Sequence, residues 1–273
     1  MFNYKTKFIF ILVLFYFLKI LTFFNKSDVS NQNIISCGCK SLYNIVNCKN
    51  SILNTCSKQY VTLTDMYNEW GSILNWALPV SSACNGNWTG ISCNTENDVV
   101  VIDLYSKKLT GTIPNSIGNL NSLTQLNLYN NQLNGTIPNS IGNLSSLIKL
   151  NLYYNQLNGI IPNSIGNLSL LTELNLYNNQ LNGTIPSTIG NLGSLTELNL
   201  YYNQLNGTIP NSIGNLNLLT QLNLYNNQLN GTIPNSIGNL GSLTELNLQK
   251  NQLLLCSNLN LKFNNQILYW YVL

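Results

Sequence analysis

The chain has 273 residues, of which 8% are charged, with a net charge of +3 and no histidine. A field this weak argues against a nucleic-acid or membrane-surface binder. The absence of imidazole removes Ser-His-Asp and Cys-His catalysis and histidine-ligated metals.

Residues 1–24 carry Lys5 and Lys7 and then a 17-residue apolar run from Phe8 to Phe24. A positive start before an apolar stretch is the plan of a secretory signal. With Lys19 near its end and no small-x-small cleavage site after it, the run is also readable as a retained signal anchor, at the short limit for a bilayer-spanning helix. Either reading sends the rest of the chain to the lumen or outside, with membrane contact only through this segment if it is uncleaved. Residues 25–60 form a polar stretch holding Cys37, Cys39, Cys48 and Cys56. In an exported chain they suggest disulfides, with three pairings open to four thiols; a zinc site is the alternative that an oxidising compartment disfavours.

Residues 61–98 read as a cap. Leu63, Met66, Tyr67, Trp70, Ile73 and Leu74 recur at helical spacing, and Thr62-x-x-Asp65 reads as the helix start. Val99 to Leu109 then supplies a first strand, with Ile102 and Leu104 pointing inward. From Leu109 to Gln132 runs LTGTIPNSIGNLNSLTQLNLYNNQ, and the chain copies this 24-residue unit five times, opening at Leu133, Leu157, Leu181, Leu205 and Leu229. A fixed period in the twenties is the signature of a solenoid, in which each coil packs on its neighbours and the end coils need covering. Within one unit Leu123, Leu126, Leu128, Asn131 and Leu133 fit the leucine-rich repeat spacing. Leu126 and Leu128 face inward on a short strand, while Gln125, Asn127 and Tyr129 face outward. The repeats span 99–252. Residues 253–273 are a degenerate terminal repeat and an apolar tail: Leu259-x-Leu261-x-x-Asn264 repeats the strand pattern without the segment that precedes it, Cys256 has no obvious mate, and the aromatic end reads as a crude plug.

The units read L-x-G-x-I-P-x-x-I-G-N-L, and in this they resemble the plant-type leucine-rich repeats of receptor-like proteins and receptor kinases, over residues 61–252. Cys84-x3-Trp-x-Gly-x-x-Cys93 resembles the N-terminal cap of the same family. The resemblance implies an α/β solenoid: a curved leucine-rich repeat array with a parallel β-sheet on its concave face and an N-terminal cap closed by a Cys84–Cys93 disulfide. It also implies a second short strand on the flank at Gly111 to Pro114 and its copies, although proline supplies no ladder donor and should end or edge a strand.

The buried Asn column (Asn131, Asn155, Asn179, Asn203, Asn227, Asn251) is expected to be structural, bonding the backbone of adjacent coils. The outward column Tyr129, Tyr153, Tyr177, Tyr201 and Tyr225, begun by Tyr105, is the binding candidate, because an aromatic ring with a polar tip suits an interface. Ring stacking that merely stabilises the sheet is the competing reading. Lys149, Tyr154 and Tyr202 break the monotony of the repeat and are added as ligand-binding candidates. So are Glu173 and Glu197, which lie in adjacent coils on one column; paired carboxylates can do acid–base work, but an open ladder offers no pocket for it. Glycosylation sequons fall at Asn25, Asn87, Asn134, Asn143, Asn167, Asn182, Asn206 and Asn230.

These readings converge on an extracellular recognition module, secreted or on the outer side of the plasma membrane, receptor-like without a kinase domain and not an enzyme. The expected ligand is a protein, peptide or polysaccharide, with a co-receptor as a further partner, and neither a cofactor nor a metal is expected. The alternatives are a structural or surface-active solenoid that binds ice or cell wall, and a truncated copy of a longer receptor.

Overall fold

The structure is a computed structural model that describes residues 50–76, 80–86, 88–254 and 269–271. The leader, Cys37, Cys39, Cys48, the side chain of Cys56, Asn25, Asn87, and the Leu259–Leu261 pattern lie outside the described residues. The chain forms two compact units, Met1–Tyr60 and Val61–Leu273. Of the first, only the opening of the helix Asn50–Met66 is described.

The second unit is built on repetition of one hydrogen-bond pattern. Its main sheet starts with Ile91–Cys93, antiparallel to Val99–Asp103. Parallel to Val99–Asp103 follow Gln125–Asn127, Lys149–Asn151, Glu173–Asn175, Glu197–Asn199, Gln221–Asn223 and Glu245–Asn247. Each residue pairs with its equivalent one coil on, as Leu126 with Leu150 and Leu150 with Leu174. Pairing in register puts every Leu126-type side chain on the same inner face, where Leu126, Leu150, Leu174 and Leu198 are fully buried. A one-residue slip would turn that whole row into water. Opposite the sheet, 3-10 turns such as Asn115–Asn119 and Asn139–Asn143 return the chain and bury Ile117 and Ile141. The core is therefore a stripe running the length of the coils.

The flank differs from the expectation for Gly111 to Pro114. Short parallel strands do form there, but they begin earlier in the unit: Asn158–Ile160, Gln180–Asn182, Asn206–Gly207, Gln228–Thr232 and Gln252–Leu254. The donors explain the shift. The amides of Gln132 and Asn134 donate to the carbonyls of Leu109 and Gly111, each at 2.8 Å. The proline that closes each G-x-I-P has no N–H to continue the ladder.

At the N-terminal end the cap is a longer helix than the Thr62-x-x-Asp65 reading gives. Thr62 and Asp65 lie inside Asn50–Met66 rather than at its start. Their polar groups are used for docking instead of capping: the Thr62 hydroxyl donates to the carbonyl of Ser116 at 2.5 Å, and the Ser116 hydroxyl donates to Asp65 Oδ2 at 2.5 Å. The helix continues through a π turn, Tyr67–Gly71, into Ser72–Leu74. The extra residue of that turn rotates the apolar face by about 100°. Ile73 is left 38% exposed, and Trp76 is buried in its place. The Trp76 ring lies on Trp88 at 4.2 Å, and Cys84 is bonded to Cys93.

At the other end the strand after Glu245–Asn247 is supplied by the aromatic tail. Tyr269–Tyr271 pairs with it in parallel, Glu245 opposite Tyr269 and Asn247 opposite Tyr271. The tail extends the sheet by one strand.

Each coil is tied to the next by the buried Asn column. Asn179 Oδ1 accepts from the amide of Leu157 at 3.0 Å, and its Nδ2 donates to the carbonyls of Leu152 and Leu176, both at 3.0 Å. Removing that amide orphans three buried backbone groups. Asn179→Ala is therefore expected to cost about 3 kcal/mol, against a change within about 0.5 kcal/mol for the exposed Asn163→Ala, both read from urea denaturation. Equal costs would show that the column is dispensable.

Candidate functional site

Three columns run side by side across the outer face of the main sheet, because a parallel in-register sheet repeats each outward residue at every strand. The tyrosine column is a stack. Tyr105 lies on Tyr129 at 4.9 Å between ring centroids, Tyr129 on Tyr153 at 4.4 Å, Tyr153 on Tyr177 at 4.3 Å and Tyr177 on Tyr201 at 4.2 Å. Interplanar angles of 7–11° make these face-to-face contacts. Tyr225 departs from the column as the sequence presents it: its contacts are an edge-on approach from Tyr202 at 5.4 Å and the Lys250 ammonium 5.1 Å from its centroid. Burial, followed by the charge that a neighbouring phenolate would carry, pushes Tyr153 up to about 12 and raises Tyr177 as well. Tyr201 is also raised, chiefly by burial. At the open end the order reverses: the hydrogen bond with Lys250 lowers Tyr225 and raises Lys250.

The second column is an amide ladder. Asn151 Nδ2 donates to Asn127 Oδ1 at 2.9 Å, Asn175 to Asn151 at 2.9 Å and Asn199 to Asn175 at 2.8 Å. Sequence reasoning placed these residues beside the tyrosines but did not see that they satisfy one another; the equal spacing of Asn at every strand was the available signal.

The third column carries the charge. Lys149, Glu173 and Glu197 are opposite one another on successive strands. Lys149 Nζ lies 2.5 Å from Glu173 Oε1, with side chains 39% and 26% exposed. At that exposure the pair is worth roughly 0.2–1 kcal/mol. The two glutamates are therefore not an equivalent acid pair: Glu173 has a cation, while Glu197 accepts a hydrogen bond from Asn199 Nδ2 at 2.5 Å. Burial first, and Glu173 second, raise the Glu197 carboxyl above the ordinary range. Geometry of this kind holds charge on an open face and encloses no reacting atom.

Tyr154 and Tyr202 occupy a turn just past the tyrosine column. Both have left-handed backbones, φ 53° and 52°, at a position where other coils place Asn130, Asn178 and Asn226. Asparagine tolerates that conformation, but a bulky aromatic does so at a cost of about 1 kcal/mol. They are 49% and 45% exposed. Tyr154 meets Tyr153 and Tyr177 edge-on at 5.9 and 5.4 Å, and Tyr202 meets Tyr201 at 5.8 Å. The described sequon residues Asn134, Asn143, Asn167, Asn182, Asn206 and Asn230 are all exposed and belong to the flank segments and 3-10 turns, off the sheet face.

Residues 102–205 match the family model of a leucine-rich repeat region, and residues 218–240 that of the leucine-rich repeat. Among curated proteins the chain is similar to a probable leucine-rich repeat receptor-like protein kinase of Arabidopsis thaliana, 35% identical over 69 residues, which is 25% of this chain and 7% of that protein's length. Among solved structures it is similar to the plant peptide hormone receptor RGFR1 in complex with RGF2. That match has 41% identity and a TM-score of 0.53, over 54% of this chain and 23% of the other. It is also similar to pollen receptor kinase 3, with 32% identity and a TM-score of 0.57 over 70% of this chain and 92% of the other.

The raised Glu197 carboxyl makes a pH-dependent contribution whose sign is determined. The folded state holds this proton more tightly than the unfolded chain, so the contribution is complete below the ordinary carboxylate range and is lost as pH rises through the raised value. Glu197→Gln should therefore gain stability on the parent as pH is taken from about 4 to about 7. A difference in urea midpoints that stays flat over that interval means that Glu197 titrates normally.

Proposed function

The chain belongs to the plant-type leucine-rich repeat proteins, and from that premise we propose that it is an extracellular recognition module that binds a peptide on the concave face of its main sheet. The observation that carries this reading is the pair Tyr154 and Tyr202, two half-exposed rings held in left-handed turns. A bulky ring kept in an unfavourable conformation, at a turn where three other coils use asparagine, is best explained by what its side chain contacts. The two rings stand two coils apart, roughly 10 Å by strand spacing, which suits side chains along an extended backbone.

Charge adds a preference. Lys149 is committed to Glu173, so Glu197 has no salt-bridge partner among the described residues. Glu245, on the same column, is exposed. A peptide bearing Lys or Arg would meet carboxylates on one side and aromatic rings on the other, as Lys250 already meets Tyr225. The tyrosine row itself is less suited to sugar rings, which need a free aromatic face; between Tyr105 and Tyr201 the inner faces are occupied by neighbouring tyrosines. It offers ring edges and hydroxyls, which bond readily to a peptide main chain. The similarity to a plant peptide hormone receptor supports the same ligand class. The reading is one of binding and not of catalysis, since the carboxylates sit on an open face.

Selection of a random linear peptide library on the immobilised chain provides the ligand for a test. The double variant Tyr154→Asn, Tyr202→Asn gives both turns the asparagine found at Asn130, Asn178 and Asn226. Its unfolding midpoint is expected to hold or rise, while the selected peptides weaken at least about tenfold, or 1.4 kcal/mol. Peptides that bind the double variant undiminished would remove the two tyrosines from the site.

A further inference from the structure

We propose that the tyrosine row from Tyr105 to Tyr201 is a site of oxidative cross-linking, at which a one-electron oxidant of the haem-peroxidase and hydrogen-peroxide class joins rings of adjacent coils into dityrosine. The geometry comes from the repeat. Adjacent coils are close to pure translations of one another, so equivalent atoms are separated by nearly the same vector as the ring centroids. For Tyr129 and Tyr153 that spacing is 4.4 Å, and for Tyr153 and Tyr177 it is 4.3 Å, with planes only 11° apart in both cases. The ortho carbons, which carry much of the spin of a tyrosyl radical, are thus held near van der Waals distance before any reaction begins. Two groups fixed in this way react at an effective concentration far above any reached between free molecules.

An oxidant has a way in. Tyr154 is half-exposed and touches both Tyr153 and Tyr177 edge-on, so an electron withdrawn at its surface can be replaced from the stack. Each oxidised ring gives up one electron and its phenolic proton, and the rings of the row are only half-buried, so the proton can leave to solvent. A phenol is protonated at neutral pH, and burial pushes Tyr153 further up to about 12, so electron and proton leave together. Two such rings form one carbon–carbon bond between ortho carbons. The two ortho hydrogens then pass to the phenolic oxygens and restore the aromatic rings. Hydrogen peroxide takes up the two electrons and two protons and becomes two waters, which closes the balance. The product covalently ties together coils that are otherwise joined laterally by non-covalent contacts, and its length along the solenoid is set by how many rings couple.

The sequence supplies a direct readout. Trypsin cuts after Lys149, which separates Tyr129 in peptide 109–149 from Tyr153 in peptide 150–250. The full chain, treated dilute with peroxidase and hydrogen peroxide and recovered as monomer, is expected to yield these two peptides covalently joined, with dityrosine fluorescence. In Tyr129→Phe, which keeps an aromatic ring in the stack, the joined pair is lost while fluorescence from the later rings remains. The same treatment in urea should give at least about tenfold less of the joined pair, because the preorganised approach is gone. Separate peptides from the folded monomer, an equal yield in urea, or dityrosine confined to covalent dimers would each overturn the proposal.

Discussion

Every feature of this molecule depends on one constraint: the polar groups of a coil must find their partners in the next coil. A short strand of three residues cannot satisfy its own backbone, and a left-handed turn beside it cannot either. The buried asparagines meet that demand. Asn131 Oδ1 takes the amides of Lys107 and Leu109 from the coil before it, and Asn131 Nδ2 serves the carbonyls of Leu104 and Leu128. Asn155 and Asn203 repeat the two carbonyl bonds and take one amide each. Because such groups are costly to leave unpaired inside a protein, the coils must stack at one spacing and in one register, and the apolar stripe of leucine and isoleucine forms as a consequence.

That register dictates what the outer face can be. Once each strand sits over its equivalent, identical outward residues are brought to about the strand spacing, which is close to the stacking distance of aromatic rings and within reach of amide–amide hydrogen bonds. The tyrosines and asparagines of the face therefore satisfy one another: rings cover rings, and Asn175 bonds Asn151 as Asn199 bonds Asn175. A perfectly repeated face is in this sense largely self-complementary and leaves a partner little beyond ring edges and hydroxyls. On the proposed peptide-binding reading, what remains for recognition lies where the repeat is broken. Lys149 replaces a glutamine or glutamate, Tyr154 and Tyr202 replace asparagine in a left-handed turn, and Glu197 is left on a charged column whose only lysine is bonded elsewhere.

The ends follow the same logic. At one end the first coil is covered by a helix whose Thr62 and Asp65 bond to Ser116 of the first full repeat, and by the Trp76–Trp88 pair beside the Cys84–Cys93 bridge. At the other, Tyr269–Tyr271 pairs with Glu245–Asn247 and carries the ladder one strand further. An edge that would otherwise present open donors and acceptors is met in each case by a segment from outside the repeats.

The sequence by itself determined the period, the inward leucines, the asparagine column, the six-fold copy of the outward face and the cysteines of the cap, because each is a pattern in one dimension with a known spatial period. Tertiary structure alone decided the rest. It placed Thr62 and Asp65 on the first coil instead of at a helix start, since a helix already running from Asn50 needs no cap there. It moved the flank strands ahead of the Gly-x-Ile-Pro segment, where amide donors exist. It separated Tyr225 from the tyrosine stack, because the next coil offers Gln249 and Lys250 in place of another ring. It split Glu173 from Glu197 as well, by bonding Lys149 to only one of them. Periodicity is a property of the chain; the choice of partner among near-identical neighbours is made by distance and angle, which exist only once the coils have stacked.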